Sequence, residues 1–319
     1  MQAPHDHDQE HDIGHGHGHH HGPAPGSSTR AFAAVTLVNL GYTALEAGYG
    51  FLTNSLALLS DALHNLGDVL GLALAWGAAA MAQWPATERH TYGWRRATLL
   101  SPLANATLLV GLSGALAWEA VRRLSAPPEV PGMTIVVVAA IGIAVNLGSA
   151  LLVHGGHGHD LNRRAAYLHL LADAAISLAT VVAGIGMLAW GWAWLDPLTA
   201  LLVGVVVAVG AARLLRDSFD AAMDAVPTGI DHAAVRAFLA GQPGVSSVHH
   251  VHIWSLGAGE VAMTAHLVRP SGDDDDHFLH ALGGSLEARF GIGHATLQLE
   301  RRGEACDRQE HGGSGPARG

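Results

Sequence analysis

Long apolar runs separated by short polar segments dominate residues 30–218 and predict six helices. We place the runs at 30–52, 55–83, 97–122, 131–153, 163–190 and 195–218. A helix needs about 20 mainly apolar residues to cross a bilayer, and every run has that length. The pattern therefore predicts an all-α membrane domain with six transmembrane helices.

The hydrophobic pattern changes after the sixth run. Residues 219–230 are expected to form a linker, and residues 231–302 alternate between helical and strand periodicity. The expected elements, in order, are a helix, two strands joined by a Gly-containing turn, a helix and a strand, at 231–240, 245–256, 260–268, 274–290 and 294–300. The order αββαβ predicts a small two-layer α+β domain.

Composition supports a membrane protein and excludes other classes. Only 14% of the 319 residues are charged, against about 25% in soluble domains. The net charge of -10 is the opposite of a nucleic-acid binder's balance. The one cysteine, Cys306, cannot form a disulfide within the chain.

Arginine placement predicts the orientation in the membrane, because positive residues collect on the cytoplasmic side. With the N-terminus inside, inner segments hold Arg30, Arg89, Arg95, Arg96, Arg163, Arg164, Arg213 and Arg216, and outer segments hold Arg122 and Arg123. Both termini are thus expected in the cytoplasm. The absence of lysine, with abundant Ala and Gly, is typical of a GC-rich bacterial coding sequence. We expect the protein in a bacterial inner membrane.

Two of the apolar runs carry a His and an Asp, ionisable groups that are costly in a membrane and usually mark an ion or proton path. His64 and Asp68 lie four residues apart in the second run, and His169 and Asp173 repeat that spacing in the fifth. Side chains four residues apart share one helix face. Two such helices can offer four ligands to one divalent cation.

A set of two His and two Asp suits zinc, with cobalt and cadmium as related alternatives. The competing interpretation is that these side chains only hydrogen-bond to one another and fix helix packing. Metal binding needs deprotonated ligands and so releases protons. The sequence therefore supports metal/proton antiport as a hypothesis.

Neighbouring polar positions leave several roles open. Asp61 could contact metal, orient His64, carry a proton or pack against another helix. Glu46 and Asn39 share a face of the first helix and are weaker candidate ligands, and Asn65 is expected to bond to a neighbouring helix.

Residues 1–29 and 303–319 are low in complexity and are expected to be disordered. The first segment holds His5, His7, His11, His15, His17, His19, His20 and His21. These imidazoles either raise the local metal concentration in the cytoplasm or have no measurable role. The same alternatives apply to the His-containing segment 154–159.

Several motifs together resemble the signature of the cation diffusion facilitator family. They are NLGYTALE (39–46), SLALLSDALHNLGD (55–68), TYGWRR (91–96), the second HxxxD at 169–173, VHHVHIWSL (248–256) and HATLQLE (294–300). The resemblance implies six transmembrane helices, a ferredoxin-like cytoplasmic domain, a homodimer, and efflux of metal in exchange for protons. In zinc-transporting members the ligands match His64, Asp68, His169 and Asp173.

The resemblance also implies further zinc in the cytoplasmic domain, at the dimer interface. The matching residues are His249, His266 and Glu300, and zinc would then be both a transported substrate and a structural or regulatory ion. Some relatives carry His in the loop between helices 2 and 3, where this chain has Trp94 and Arg95. A metal site in that loop is therefore not expected.

Two rival functions differ in class. An intramembrane metalloprotease would carry HExxH, which the sequence lacks, so the chain is not expected to be an enzyme. A membrane metal sensor that does not transport would show the same ligands. Measured turnover separates a sensor from a transporter.

Overall fold

In a computed structural model, the chain is described over residues 28–154, 161–257, 259–272 and 274–301. Six long helices come first: α1 Ser28–Thr53, α2 Leu56–Ala82, α3 Ala97–Ser125, α4 Gly132–His154, α5 Leu161–Trp190 and α6 Leu195–Ala222. Five of them, α2 to α6, are long and apolar enough to cross a membrane by length and composition. The remaining long helix, α1, packs beside α2 and α4. The predicted helical membrane domain is confirmed.

Close helix contacts depend on small residues, as is typical of membrane bundles. In the α4–α5 interface, a Cβ on Gly184 would lie 2.8 Å from Val136 and 3.2 Å from the Gly132 carbonyl oxygen. Between α2 and α3, a Cβ on Gly67 would lie 2.5 Å from Leu109. These glycines let the helix backbones approach each other.

Large apolar side chains lie on the outer surface of the helical domain. Leu52, Phe51, Trp76 and Leu151 are each at least 70% exposed. A soluble monomer rarely leaves such contiguous apolar surface uncovered. The exposed surface matches a lipid-facing exterior.

A buried carboxylate joins α6 to the start of α2. Asp196 is fully buried and accepts hydrogen bonds from the Ser55 hydroxyl (2.5 Å) and from the backbone N–H groups of Leu56 (2.9 Å) and Ala57 (3.1 Å). The first N–H groups of a helix have no partner within the helix, and a negative charge there is favourable. Asp196 therefore fixes the N-terminus of α2, on which His64 and Asp68 lie.

The C-terminal domain consists of α7 His232–Ala240, β1 Ser247–Gly257, β2 Glu260–Val268, α8 Asp275–Phe290 and β3 His294–Glu300. The sheet order is β1-β2-β3, with β1–β2 antiparallel and β2–β3 parallel. Val235, Leu239, Leu267 and Leu286 belong to the core between the sheet and the two helices. The predicted αββαβ order is confirmed.

Some of the sequence-based predictions fall outside the described residues. These are the His-rich segment 1–27, the loop residues His157 and His159, and the C-terminal tail with Cys306. In the predicted turn between β1 and β2, Ala258 also lies outside them.

Replacing Asp196 should destabilise the membrane domain. We expect Asp196→Ala to lower the unfolding free energy by on the order of 2 kcal/mol, because three donors at the start of α2 lose their acceptor. The melting temperature of purified protein in detergent measures the effect. Asp217→Ala, an exposed position on the same helix, is the control. Equal melting temperatures for the two variants would contradict the capping role.

Candidate metal centres

Helices α2 and α5 bring the four predicted intramembrane ligands together. His64 Nε2 lies 3.1 Å from Asp173 Oδ1, and His169 Nε2 lies 3.1 Å from Asp68 Oδ2. His169 Nε2 is also 3.6 Å from Asp173 Oδ2. Each imidazole therefore contacts a carboxylate of the opposite helix, so the two HxxxD faces point at each other.

The four side chains are not equivalent. Ligand atoms of His64, Asp68 and Asp173 all lie within 4.8 Å of one another, a spacing that could hold one ion. His169 touches both carboxylates but falls outside that group of three. The Asp173 side chain is 5% exposed, whereas those of Asp68 and His169 are 40% and 46% exposed. The site is thus closed around Asp173 and open beside His169.

A second polar group lies one helical turn from this site, between α1, α2 and α5. Tyr42 donates a 2.8 Å hydrogen bond to Glu46, and Asn65 donates one of 3.4 Å to the other Glu46 oxygen. Ser177 donates to Asp61 at 3.1 Å. The sequence analysis weighed Asp61, Glu46 and Asn65 but missed Tyr42 and Ser177. Their helical spacing, four residues from Glu46 and from Asp173, was the available signal.

These bonds also bear on the roles left open for Asp61. Its hydrogen-bond donor among the described residues is Ser177 of α5, and the described bonds include none from Asp61 to His64. Asn65 bonds to Glu46 on the neighbouring helix, as expected. Asn39 bonds to Ser149 of α4 at 3.3 Å, away from the four candidate ligands.

A second cluster lies on the sheet of the C-terminal domain. His249 and His266 are directly opposite each other on β1 and β2, and Glu300 ends β3. Glu300 lies 2.8 Å from His266 Nδ1 and 3.3 Å from His249 Nε2. The His249 Nε2 atom is buried and makes no hydrogen bond, as expected of a nitrogen available to a metal. The three ligand atoms lie within 4.8 Å of one another.

This cluster occupies the face of the sheet that points away from the domain core. Ala265 and Leu267, the neighbours of His266, belong to the core, and alternate residues of a strand point to opposite faces. The His250 ring lies 5.2 Å from the His266 ring and extends the cluster. His250 has a φ of 51°, at an irregularity in the β1–β2 register that changes the direction of its side chain.

The loop between α2 and α3 contacts strand β2 and the segment that follows α6. Arg95 pairs with Glu260 of β2, and Arg96 pairs with Asp224 beyond α6 at 2.8 Å. Trp94 packs against His90 with ring centroids 4.6 Å apart. The described metal-binding groups include none in this loop.

Comparison with known families gives two matches along the chain. Residues 32–221 match the family model described as the cation efflux transmembrane domain, and residues 227–302 match the cation efflux protein cytoplasmic domain. The chain belongs to the cation efflux family. The resemblance to cation diffusion facilitators is therefore confirmed, and this member is an integral membrane transporter with a cytoplasmic C-terminal domain, not an enzyme.

Individual relatives match over most of their length. The metal cation efflux system protein CzcD of Cupriavidus metallidurans is 34% identical over 92% of this chain and 93% of its own. The zinc transporter ZitB of Escherichia coli is 37% identical, covering 82% and 84%. A cadmium, cobalt and zinc/H(+)-K(+) antiporter of Bacillus subtilis is 34% identical, covering 86% and 90%.

One solved structure is similar to part of this cation efflux protein. It is the metal-bound C-terminal domain of the CzcD transporter from Cupriavidus metallidurans, 35% identical. The match covers 22% of this chain and 99% of that chain, with a TM-score of 0.21.

Removing the shared carboxylate should weaken cytoplasmic metal binding. We expect Glu300→Gln to lower zinc affinity by at least about 10-fold, because the amide loses the charge that both His residues face. Calorimetry on the full chain carrying Asp173→Asn measures the cytoplasmic site with the membrane site impaired. Glu287→Gln, exposed on α8, is the control. Identical affinities in the two variants would exclude Glu300 as a ligand.

Proposed function

We propose that this protein exports a divalent cation, most readily Zn²⁺, from the cytoplasm in exchange for protons. The transport site consists of His64, Asp68, His169 and Asp173. The observation that carries the proposal is the approach of α2 and α5, which places each imidazole 3.1 Å from a carboxylate of the other helix. Membership in the cation efflux family and the ionisable groups inside the helices support the same function.

The donor set and the relatives favour zinc among divalent cations. Two imidazoles and two carboxylates match the tetrahedral nitrogen and oxygen coordination that zinc prefers. The relative from Escherichia coli is a zinc transporter, and that from Bacillus subtilis is an antiporter for cadmium, cobalt and zinc. Cadmium and cobalt are therefore the alternative substrates of the same site.

The same four groups provide a mechanism for proton exchange. A protonated His64 would pair with Asp173, and a protonated His169 with Asp68, at the distances found here. Zinc binds neutral imidazole, so the arriving cation replaces those protons. Protons entering from the opposite side then displace the metal, which couples the two fluxes at one site.

Asp173 supports this exchange more directly than Asp68. It contacts both imidazoles and is buried, whereas Asp68 contacts His169 alone and is partly exposed. Burial strengthens the interaction between a carboxylate and a cation. Asp173 would hold the ion while Asp68 and His169 meet it at the open side.

The cytoplasmic domain supports a homodimer with additional zinc. His249, His266 and Glu300 lie on the sheet face away from the core, where a second chain could approach them. Zinc held there would be structural or regulatory.

We assign residues 30–218 to transport, 219–230 to a linker and 231–302 to the cytoplasmic domain, between tails at 1–29 and 303–319. We place both termini in the cytoplasm and the protein in a bacterial inner membrane.

Substitution of Asp173 tests the transport site. In proteoliposomes, Asp173→Asn should reduce zinc transport by at least about 100-fold, because the site loses the carboxylate that meets both imidazoles. Asp217→Asn, exposed on α6, should transport like the native protein. Zinc ions moved are counted per chain. One ion per chain without turnover would indicate a sensor, and full turnover in Asp173→Asn would refute the site.

The direction of a pH gradient should control the rate. Because protons and metal move in opposite directions, zinc transport should accelerate when the compartment receiving zinc is acidic, and slow when the gradient is reversed. A zinc-sensitive dye inside the vesicles reports the rate, and a proton ionophore should remove the difference. Equal rates under both gradients would rule out proton antiport.

A further inference from the structure

A buried polar cluster between α1, α2 and α5 is separate from the candidate metal ligands. We call it the Glu46–Asp61 cluster, and it consists of Tyr42, Glu46, Asp61, Asn65 and Ser177. Glu46, Asp61 and Ser177 are fully buried, and Tyr42 and Asn65 are less than 10% exposed. Asn65, which donates to Glu46, lies one turn after Asp61 on α2, and the charges of the two carboxyl groups act on each other. The two acidic groups therefore belong to one buried cluster.

The hydrogen bonds in this cluster leave one carboxyl oxygen without a donor. The two Glu46 oxygens accept from Tyr42 and Asn65. Asp61 Oδ2 accepts from Ser177, but Asp61 Oδ1 is buried and has no partner. Two ionised carboxylates can only accept hydrogen bonds, so neither can donate one to the other. A proton between them supplies the missing donor.

The negative charges of two ionised carboxylates would also need a positive charge beside them, and a proton can supply it. Within the described parts of the chain, the ion pairs of arginine involve neither Glu46 nor Asp61. A pair of buried charges of the same sign without a counter-ion costs several kcal/mol. Two carboxyl groups in contact commonly share one proton, because the second ionisation is opposed by the first.

The surroundings show which other groups act on this pair. The titratable groups that face it are Tyr42 from α1, His64 from α2 and Asp173 from α5. From α4 come the carbonyl group of Val138, 3.4 Å from the Tyr42 hydroxyl, and Gly142.

Gly142 leaves room for the donors of the cluster. A Cβ there would lie 2.2 Å from the Tyr42 hydroxyl and 3.0 Å from that of Ser177. The glycine thus lets both hydroxyl groups reach the two carboxyl groups.

The cluster is close to the metal site but bonded separately. The described hydrogen bonds of Glu46 and Asp61 go to Tyr42, Asn65 and Ser177, and none goes to a candidate metal ligand. Asp61 precedes His64 by one turn, and Ser177 follows Asp173 by one turn, so both elements that build the metal site also build this cluster. A doubly charged cation at the metal site would favour the ionised form of the pair.

We propose that Glu46 and Asp61 share one proton in the metal-free protein, and that this proton leaves when a divalent cation binds at His64, Asp68, His169 and Asp173. The O–H bond of the carboxyl pair breaks, and the proton passes to water. The pair then carries a second negative charge, which balances the arriving cation. The release step rests on the proposed function, whereas the shared proton does not.

Infrared spectroscopy of the purified full chain tests the proposal. A protonated carboxyl group has a C=O absorption that is distinct from a carboxylate and shifts in heavy water. The metal-free native protein should show this band at neutral pH, and added zinc should remove it. Glu46→Gln and Asp61→Asn should each lack the band before zinc is added. In both variants the amide preserves hydrogen bonding, and size-exclusion chromatography checks the fold.

The control is Glu119→Gln, a partly exposed carboxylate paired with Arg123, which should keep the band. Absence of the band in the native protein, or its persistence in both cluster variants, would overturn the shared proton. Zinc binding is measured in parallel by calorimetry, with Asp173→Asn for comparison. If zinc binds but the band remains, the release step is wrong. If native and Asp173→Asn proteins bind zinc equally, the transport site fails, and the band of the metal-free protein still decides the shared proton.

Discussion

The contact between α2 and α5 brings together the four side chains that we propose bind the transported cation. Ionisable side chains inside a membrane are stable only when partners offset their charge. His64 and Asp173 lie 3.1 Å apart across that contact, and His169 and Asp68 repeat the distance. Each helix alone would expose an unpaired His and Asp to an apolar environment. Together the helices form a site whose charge can be balanced by protons or by metal.

The buried carboxylates of this domain are satisfied in three different ways. Asp196 receives three hydrogen bonds from the start of α2 and has a structural role. Asp173 contacts two imidazoles, whose protons are exchanged in the proposed function. Glu46 and Asp61 belong to one buried cluster, in which one Asp61 oxygen is left without a donor. Partners thus distinguish a structural carboxylate from one that can bind a mobile cation.

The cytoplasmic domain also brings His and carboxylate side chains together, in this case on a sheet. Pairing of β1 with β2 places His249 opposite His266, and the parallel strand β3 brings Glu300 to both. The core lies on the opposite face, so these polar groups remain accessible from outside the domain. Salt bridges of Arg95 and Arg96 connect this domain and the end of α6 to the loop between α2 and α3. The sheet is therefore in contact with the loop that follows the helix carrying His64.

The sequence by itself determined the elements and the chemistry of the candidate ligands. Run length defined the helices, period-two alternation defined the strands, and HxxxD spacing placed His64 and Asp68 on one face, because these patterns are local. Only the tertiary structure decided that Asp173 contacts both imidazoles while His169 lies at the edge. It also decided that Tyr42 and Ser177 complete the cluster around Glu46 and Asp61. Those partners come from different helices, and their distances depend on how closely small residues such as Gly142 let the helices pack.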